Sequence, residues 1–282
     1  MNSSPEESEQ PSASALFAAA ARAAHLVVDE PPVIFRDTAA AGLLGDRADE
    51  LIGYHRAHGS HPVLAGARVQ VLARARYTED HVTATRPAQY VVLGAGLDTF
   101  ALRGGVEGTA VFEVDHPATQ AWKLSRPGVP GGAATYVPVD LAADPLLDRL
   151  VDAGFDPGVP AVVSWLGVTM YLTRDAVERA LADLGRLAPG TELIFDHVLP
   201  DHLRDDEGRA YATAVAAATA ENGEPWRTTL TPEEAGALAA THGFPEVRHL
   251  HLADAVPARL WDRADALRPS ELLVLTHAVR RG

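Results

Sequence analysis

The pattern of hydrophobic and polar residues changes character near residue 86. Before that point, helix-forming composition or helical apolar spacing predicts helices at 13–24, 47–58 and 63–82. After it, short β-branched runs alternate with amphipathic stretches, as expected of strands separated by helices. The predicted strands are 89–93, 110–114, 134–139, 161–166, 191–198, 246–252 and 271–279. The predicted helices among them are 97–103, 116–125, 144–153, 174–187, 203–222 and 231–242.

Strands that alternate with helices predict an α/β fold, with a parallel, doubly wound sheet covered by helices on both faces. We predict one domain over residues 13–282, because the chain is long for one α/β domain but not clearly long enough for two. Its parts are a helical N-terminal cap (13–85), a cofactor-binding core (86–198), a helical lid insert (199–245) and C-terminal strands (246–282). Residues 1–12 are acidic and polar, which predicts a disordered tail.

The composition argues against several classes of function. The formal net charge of −14 argues against nucleic-acid binding, which needs clustered Lys and Arg. The absence of cysteine excludes disulfides, thiolate metal sites and cysteine catalysis, and we predict no metal site. No apolar run is long enough to cross a bilayer, so we expect a cytoplasmic protein without a membrane partner. Lys123 is the only lysine, which fits the codon usage of a GC-rich bacterial genome.

The segment VVLGAGLDT (91–99) runs from a predicted strand into a turn with two glycines. In a doubly wound sheet, ligands bind beyond the carboxyl ends of the strands, and Gly94 and Gly96 permit close approach to the backbone. A dinucleotide-binding fingerprint needs a third glycine or alanine, but that position holds Thr99. A tight turn without any ligand uses the same glycines, so this segment alone leaves both interpretations open.

Acidic residues follow the second and third predicted strands. Asp115 ends VFEVD, and a carboxylate there can accept hydrogen bonds from the ribose hydroxyls of NAD or of S-adenosylmethionine. Asp140 and Leu141 follow the third strand, where they suit an adenine amino group and the adenine ring. Each aspartate is also well placed to cap the helix that follows it.

Four motifs occur in order along the chain: LGAGLDTFALR (93–103), FEVDHPATQAWK (112–123), VPVDL (137–141) and SWLGVTMYLTRDAVERAL (164–181). Together they resemble the leucine carboxyl methyltransferase family of S-adenosylmethionine-dependent enzymes. The resemblance is to its bacterial branch, which includes actinobacterial proteins and polyketide carboxyl O-methyltransferases. It implies a class I methyltransferase (Rossmann-like) fold with a seven-stranded sheet, the last strand antiparallel, and S-adenosyl-L-methionine as the cofactor.

The resemblance also implies roles for individual residues. Those that would contact the cofactor, in order from its methionine part through the ribose to the adenine, are Gly94, Ala95, Gly96, Asp115, Asp140 and Leu141. An arginine from the helix before the first strand would grip the cofactor carboxylate. Arg74 and Arg76 both stand in LARARYTED, and the sequence does not choose between them.

One position departs from the family pattern, because Leu166 stands where well-studied relatives have a glutamate near the cofactor. Candidate catalytic residues are His116, His197 and Tyr171. The two histidines would serve as bases for a hydroxyl acceptor, although a lone histidine is more often structural. Tyr171 and Trp226 are candidates for the substrate pocket, and ordinary core packing explains Tyr171 equally well.

The sequence therefore favours an S-adenosylmethionine-dependent O-methyltransferase, monomeric or homodimeric, that acts on a carboxylate or hydroxyl of a small molecule in secondary metabolism. An ionised carboxylate acceptor needs no base. The alternatives are an NAD(P)-dependent Rossmann oxidoreductase and a methyltransferase-like binding protein without catalysis, which the change at Leu166 leaves open. We further expect the N-terminal helices and the insert to select the substrate, and Asp98 and Arg103 to pair and brace the glycine turn.

Overall fold

A computed structural model describes residues 11–282. The helices are α1 (Ala13–Val28), α2 (Ala40–Leu44), α3 (Ala48–His58), α4 (Pro62–Thr85), α5 (Pro117–Leu124), α6 (Leu146–Asp152), α7 (Arg174–Leu184), α8 (Asp206–Glu221), α9 (Pro232–Thr241) and α10 (Leu252–Ala255). The strands are β1 (Gln89–Leu93), β2 (Ala110–Asp115), β3 (Thr135–Pro138), β4 (Ala161–Trp165), β5 (Glu192–Val198), β6 (Glu246–His251) and β7 (Leu273–Val279). Among these residues, no helix is both long and apolar enough to span a bilayer.

The seven strands form one sheet in the order β3-β2-β1-β4-β5-β7-β6. The five strands from β1 to β5 pair in parallel, whereas β7 is antiparallel to both of its neighbours. This confirms the predicted fold class. The order reverses beside β1, so a crevice forms at the carboxyl ends of β1, β2 and β4, where open α/β sheets bind their ligands.

The central strands are covered on both faces, which explains why β1 and β4 are buried along their whole length. In β1, Tyr90 and Val92 belong to the apolar cluster that contains α4 and α10, while Val91 and Leu93 belong to the cluster with α6, α7 and α9. Alternate residues of a strand point to opposite faces, so a strand between two helical layers is apolar throughout. The resulting three-layer core holds the carboxyl ends of the central strands in fixed positions.

A third apolar cluster joins α1, α2 and α3 to the turn after β1. The buried Arg68 of α4 holds the end of α1, because its Nε and Nη2 donate to the two carboxylate oxygens of Asp29 at 2.8 and 2.9 Å. The predicted disordered tail, residues 1–12, lies outside the described residues except for Pro11 and Ser12. Ser12 is the N-cap of α1, since its hydroxyl accepts from the Ala15 amide.

The helix predicted at 97–103 is wrong, because this segment folds as consecutive turns. The Asp98 carboxylate accepts from the Phe100 amide at 2.8 Å, and the Asp98 carbonyl accepts from the Lys123 ammonium group at 2.6 Å. Both bonds occupy groups of Asp98 in ways that compete with helical hydrogen bonding. The chain after β1 therefore stays in a turn conformation and lines the crevice with backbone.

Candidate active site

A cavity of about 400 Å³ lies at the carboxyl ends of β1 to β4. The turn after β1 and the residues that follow β2, β3 and β4 form its floor. Helices α1, α4 and α8 form its walls, together with the segment that holds Glu224 and Trp226. By contrast, α9 packs on β6 and β7, so the part of the predicted lid insert that reaches the cavity is α8 and the segment after it.

The glycine turn brings bare backbone to the cavity. Gly94 and Gly96 have φ angles of 65° and 50°, a conformation that other residues adopt only with strain. A Cβ on Gly94 would lie 2.2 Å from Cγ2 of Val168, and one on Gly96 would lie 3.0 Å from the Ala15 side chain. Both positions therefore require glycine for conformation and for space.

Asp115 closes the end of β2 against this turn. Its carboxylate accepts from the Gly96 amide at 2.5 Å and from the His116 amide at 2.6 Å. Burial raises the pKa of Asp115, and these two backbone donors oppose that effect. A carboxylate has about four lone-pair positions, so roughly two remain for a ligand in the cavity.

A polar network beneath the turn joins it to the N-terminal helices. The buried carboxylate of Asp37 accepts from the Nε of Arg22 at 2.7 Å and from the hydroxyl of Thr99 at 2.8 Å. Arg22 also donates to the carbonyl of Leu97 at 2.6 Å. Burial alone would raise the pKa of Asp37. The positive charges of Arg22 and Arg103 and the hydrogen bond from Thr99 outweigh that effect, so the pKa is lowered. Thr99, in the place of a third glycine, thus anchors the turn to Asp37.

The predicted pair of Asp98 and Arg103 is wrong. Arg103 instead forms an ion pair with Glu79 of α4 and donates to the Thr99 hydroxyl at 3.0 Å. Asp98 uses its carboxylate for the Phe100 amide. Because the segment is a series of turns, the one-turn helical spacing that motivated the pairing does not apply. The arginine braces the turn against α4 rather than within itself.

The two candidate arginines of α4 lie in different surroundings. Arg74 lines the cavity, and its Nη1 donates to the fully buried carboxylate of Asp196 at 2.7 Å. Its guanidinium lies against Gly167, where an added Cβ would be 2.4 Å from Nη2. Arg76 is not among the lining residues and pairs with Asp80 on the outer side of α4. The structure thus brings only Arg74 to the cavity.

Asp140 and Leu141 line the cavity at the end of β3. The carboxylate of Asp140 accepts from the Ala142 amide at 2.8 Å. Neither Asp115 nor Asp140 caps the helix that follows it, since the N-cap of α5 is His116 and that of α6 is Pro145. Both aspartates remain at the sheet edge, where they can meet a ligand.

The three candidate catalytic residues separate into two groups. His116 and Tyr171 line the cavity, whereas His197 does not. His197 is buried between β5 and β7, where its Nδ1 contacts the Leu230 carbonyl at 2.9 Å and its Nε2 the Thr276 hydroxyl at 3.1 Å. Burial lowers the pKa of His197 to about 4. His197 therefore lies outside the proposed site.

Three polar residues of α4 line the cavity although the sequence did not predict them: Gln70, Thr78 and Glu79. Glu79 lines the cavity, and burial raises its pKa to about 7 despite the attraction of Arg103. Gln70 and Thr78 are buried cavity residues, and Gln70 Nε2 and Thr78 Oγ1 have no hydrogen-bond partner among the described residues. These residues lie about one helical turn before or after Arg74, so they share its face of the helix, and this spacing is the signal that could have identified them.

We expect the stability of the protein to fall as the pH falls from about 6.5 to about 4, in part because of His197. Its pKa is lower in the folded than in the unfolded chain, so the unfolded chain binds the proton first. The lost stability is on the order of 3 kcal/mol at most. Urea unfolding at pH 7 and pH 5 measures it. His197→Gln should reduce the pH dependence but not remove it, since burial also lowers the pKa of His55 to about 4; an unchanged dependence would contradict the assignment.

Comparison with known proteins decides the family. The model of the family described as leucine carboxyl methyltransferase matches residues 15–185. The chain belongs to the leucine carboxyl methyltransferase family. The candidate S-adenosyl-L-methionine-dependent methyltransferase YktD of Bacillus subtilis is 32% identical over 222 residues, which cover 74% of this chain and 72% of YktD. A similarly named protein of Parafrankia sp., Franean1_4929, is 37% identical over 155 residues, 48% of this chain and 49% of its own length.

Two solved structures share the fold of this family member. A candidate methyltransferase from Thermobifida fusca aligns with a TM-score of 0.59 and 18% identity over 97% of this chain and 96% of its own. A DUF574 family protein from Streptomyces avermitilis aligns with a TM-score of 0.56 and 16% identity over 93% and 97% of the two chains. At these identities the similarity supports the class I methyltransferase fold alone.

The chain is an S-adenosylmethionine-dependent methyltransferase, which decides against an NAD(P) cofactor. The residues that line the cavity also suit S-adenosylmethionine, independently of the comparisons. The glycine turn brings backbone to the cavity, Asp115 keeps unused lone pairs beside it, and Arg74 lines the same cavity as a cation. The volume of about 400 Å³ lies within the range of cofactor sites.

Proposed function

We propose that this methyltransferase transfers a methyl group to an oxygen atom of a small molecule, either a carboxylate or a hydroxyl, in the secondary metabolism of a bacterial cytoplasm. The observation that carries the proposal is the set of aromatic side chains in the cavity lining, which we call the aromatic wall. Its residues are Phe17, Phe35, Tyr90, Tyr171, Tyr211 and Trp226. Aromatic side chains give an apolar surface, and those of tyrosine and tryptophan add a polar group, which favours a small acceptor that carries both an aromatic ring and oxygen atoms.

We assign the cofactor to the residues that line the floor of the cavity. Asp115 would accept from the ribose hydroxyls, and Asp140 with Leu141 would frame the adenine. Gly94, Ala95 and Gly96 would lie along the methionine part. Arg74 would hold the cofactor carboxylate, because Asp196 orients its guanidinium through Nη1 alone and the described residues accept no hydrogen bond from its other donors.

The bound cofactor supplies a methyl group on a positively charged sulfur, already activated for displacement by an oxygen nucleophile. The protein has to align the acceptor and to exclude water, which can supply several kcal/mol. Helix α8 contributes Tyr211, Val215 and Thr219 to the wall, and α1 contributes Ala18 and Ala21. We therefore propose that α1 and α8 form the lid that shields the reaction.

Polar atoms at the aromatic wall support an acceptor rich in oxygen. Gln70 Nε2 and Trp226 Nε1 are buried donors that lie beside the hydroxyls of Tyr211 and Tyr171, and among the described residues neither forms a well-aligned hydrogen bond. A buried donor without a partner costs about 1–3 kcal/mol, so an acceptor oxygen that satisfies it gains affinity. Burial raises the pKa of Tyr171, so its phenol stays protonated near pH 7 and can donate as well.

A carboxylate acceptor is the simpler case, since it is ionised and needs no base. His116 is poorly suited as a base, because its Nδ1 accepts from the Ala118 amide at 3.3 Å and its neutral ring then carries the proton on Nε2. A hydroxyl acceptor is favoured by one observation only. Glu79 lines the cavity with a pKa of about 7, where a carboxylate can act as a general base.

Incubation with S-adenosylmethionine labelled in the methyl group, and a panel of aromatic carboxylic acids and phenols, tests the proposal. Label in an ester is released as methanol by mild alkali, whereas label in an ether is retained. Glu79→Gln also removes the ion-pair partner of Arg103, so its effect on ester formation measures that loss, and ether formation should fall at least tenfold further. Transfer to nitrogen or carbon contradicts O-methylation. If S-adenosylhomocysteine binds and no labelled product forms with any acceptor, the non-catalytic alternative is supported instead.

A further inference from the structure

A second cluster of chemically active side chains lies near the amino end of β5, whereas the cavity lies at the carboxyl ends of the strands. His81 of α4 contacts Glu192, the first residue of β5, with 2.9 Å between Nε2 and Oε2. His277 of β7 contacts the same carboxylate oxygen from its Nε2 at 2.7 Å. The ligand atoms of the three residues all lie within 4.8 Å of one another. Each side chain is partly buried, with 12–23% exposed, so the cluster is enclosed but reachable from solvent.

The second imidazole nitrogen of His277 is also held in place. The hydroxyl of Tyr77 lies 2.8 Å from His277 Nδ1. The His81 and His277 rings pack edge to face with centroids 4.7 Å apart. His277 Nε2 hydrogen-bonds to Glu192, whereas His81 Nε2 approaches the same carboxylate without hydrogen-bond geometry. Histidines that bind metals usually have their other nitrogen hydrogen-bonded in this way, which fixes the orientation of the ring. The cluster therefore has one outer partner of the kind that supports a metal ligand.

We propose that His81, Glu192 and His277 bind one divalent transition-metal ion, with Zn²⁺ as the preferred species. Two imidazoles and one carboxylate form a ligand set that Zn²⁺ uses, and Mg²⁺ and Ca²⁺ favour sites made of oxygen alone. Three protein ligands leave one position of a tetrahedral ion to water. The present contacts are shorter than the separation of ligands around such an ion, so binding requires the side chains to move apart by a few tenths of an ångström.

The proposed ion would connect α4 to the sheet. Tyr77 and His81 face the cluster, while Gln70, Arg74 and Thr78 of the same helix line the cavity. An ion between α4, β5 and β7 therefore fixes the helix that carries the cofactor-binding arginine. Arg248 is paired in register with His277, and its positive charge reduces the affinity for a cation.

The sequence predicts no metal site because the three ligands are far apart in the chain and none belongs to a short metal-binding motif. Glu192 and His277 also belong to largely apolar strands, which gives no indication of a shared site. The folded chain brings them together because β5 and β7 are neighbours and because His81 and Tyr77 of α4 contact them.

Titration calorimetry with Zn²⁺, on full-length protein freed of any histidine tag and of bound metal, tests the proposal. We expect one ion per chain to bind, and Glu192→Gln and His277→Gln to weaken that binding at least tenfold. His251→Gln is the matched control, since it removes a histidine from an exposed histidine–glutamate pair, and it should leave the affinity unchanged. Arg248→Gln should increase the affinity.

Co²⁺ provides a second measurement that does not depend on the variants folding. In the wild-type protein it should give the intense visible absorption of a tetrahedral ion, and equimolar Zn²⁺ should remove it. The proposal is overturned if the wild-type protein binds no ion at this stoichiometry. It is equally overturned if the folded Glu192→Gln and His277→Gln variants bind as tightly as wild type, because Glu192 then only contacts two histidines.

Discussion

Asp115→Asn is expected to weaken the binding of S-adenosylhomocysteine by about 10- to 100-fold. The carboxylate stands beside the glycine turn with lone pairs available, and hydrogen bonds to a charged group contribute about 1.5–3 kcal/mol each. The amide has nearly the same shape and keeps one acceptor oxygen, so the loss reports on charge and on the second oxygen. Calorimetry at fixed salt concentration measures the change.

Asp152→Asn is the matched control for this variant. Asp152 is an exposed residue at the end of α6 and does not line the cavity. Its replacement makes the same change in charge and should leave the affinity unchanged. If Asp115→Asn binds S-adenosylhomocysteine as tightly as wild type while both proteins remain folded, Asp115 does not hold the ribose.

Lys123→Met is expected to destabilise the protein by about 3–5 kcal/mol, the range for a buried ion pair that loses one partner. Lys123 and Glu113 are both about 1% exposed, with 2.5 Å between Nζ and Oε2. The lysine also donates to the Asp98 carbonyl in the turn after β1. Removing it leaves a buried carboxylate and a free carbonyl, and loosens the turn on the cofactor side.

The pH dependence of the stability loss provides a second test of the Lys123→Met variant. Burial raises the pKa of Glu113 to about 7 even with Lys123 present, and the variant loses the opposing attraction of the lysine. A carboxyl whose folded pKa is raised stabilises the protein at low pH and loses that effect as the pH rises. The loss of unfolding free energy in Lys123→Met, measured by urea unfolding, should therefore be smaller at pH 5 than at pH 8. Adding Glu113→Gln should recover part of the loss; a double variant less stable than Lys123→Met would contradict the pairing.

The sheet could be predicted from the sequence because each strand is a short β-branched run between turn residues. In β1 and β4 those runs are buried on both faces, so their largely apolar character is easily recognised. The helix predicted at 97–103 failed for a local reason. Its spacing was helical, but the side chain and carbonyl of Asp98 hydrogen-bond to Phe100 and Lys123 instead.

The floor of the cavity could also be predicted, since Gly94 follows β1, Asp115 ends β2 and Asp140 comes shortly after β3. The walls could not, because they join residues that are distant in the chain. Lys123 is an example. As the only lysine of the chain it suggests only the codon usage of the genome, and no residue near it in the sequence shows that it pairs with Glu113 in the core. Likewise, Arg103 finds its partner Glu79 on α4 rather than within its own segment.

A crystal structure with S-adenosylhomocysteine bound tests the central claim most directly. We expect the ribose hydroxyls on Asp115, the adenine beside Asp140 and Leu141, and the amino-acid carboxylate on Arg74, with the aromatic wall left free for the acceptor. A ligand bound in the same cavity but with its carboxylate held by another residue would correct the role of Arg74 alone. A ligand that lies against the aromatic wall, away from Asp115 and the glycine turn, would contradict the assignment of the site.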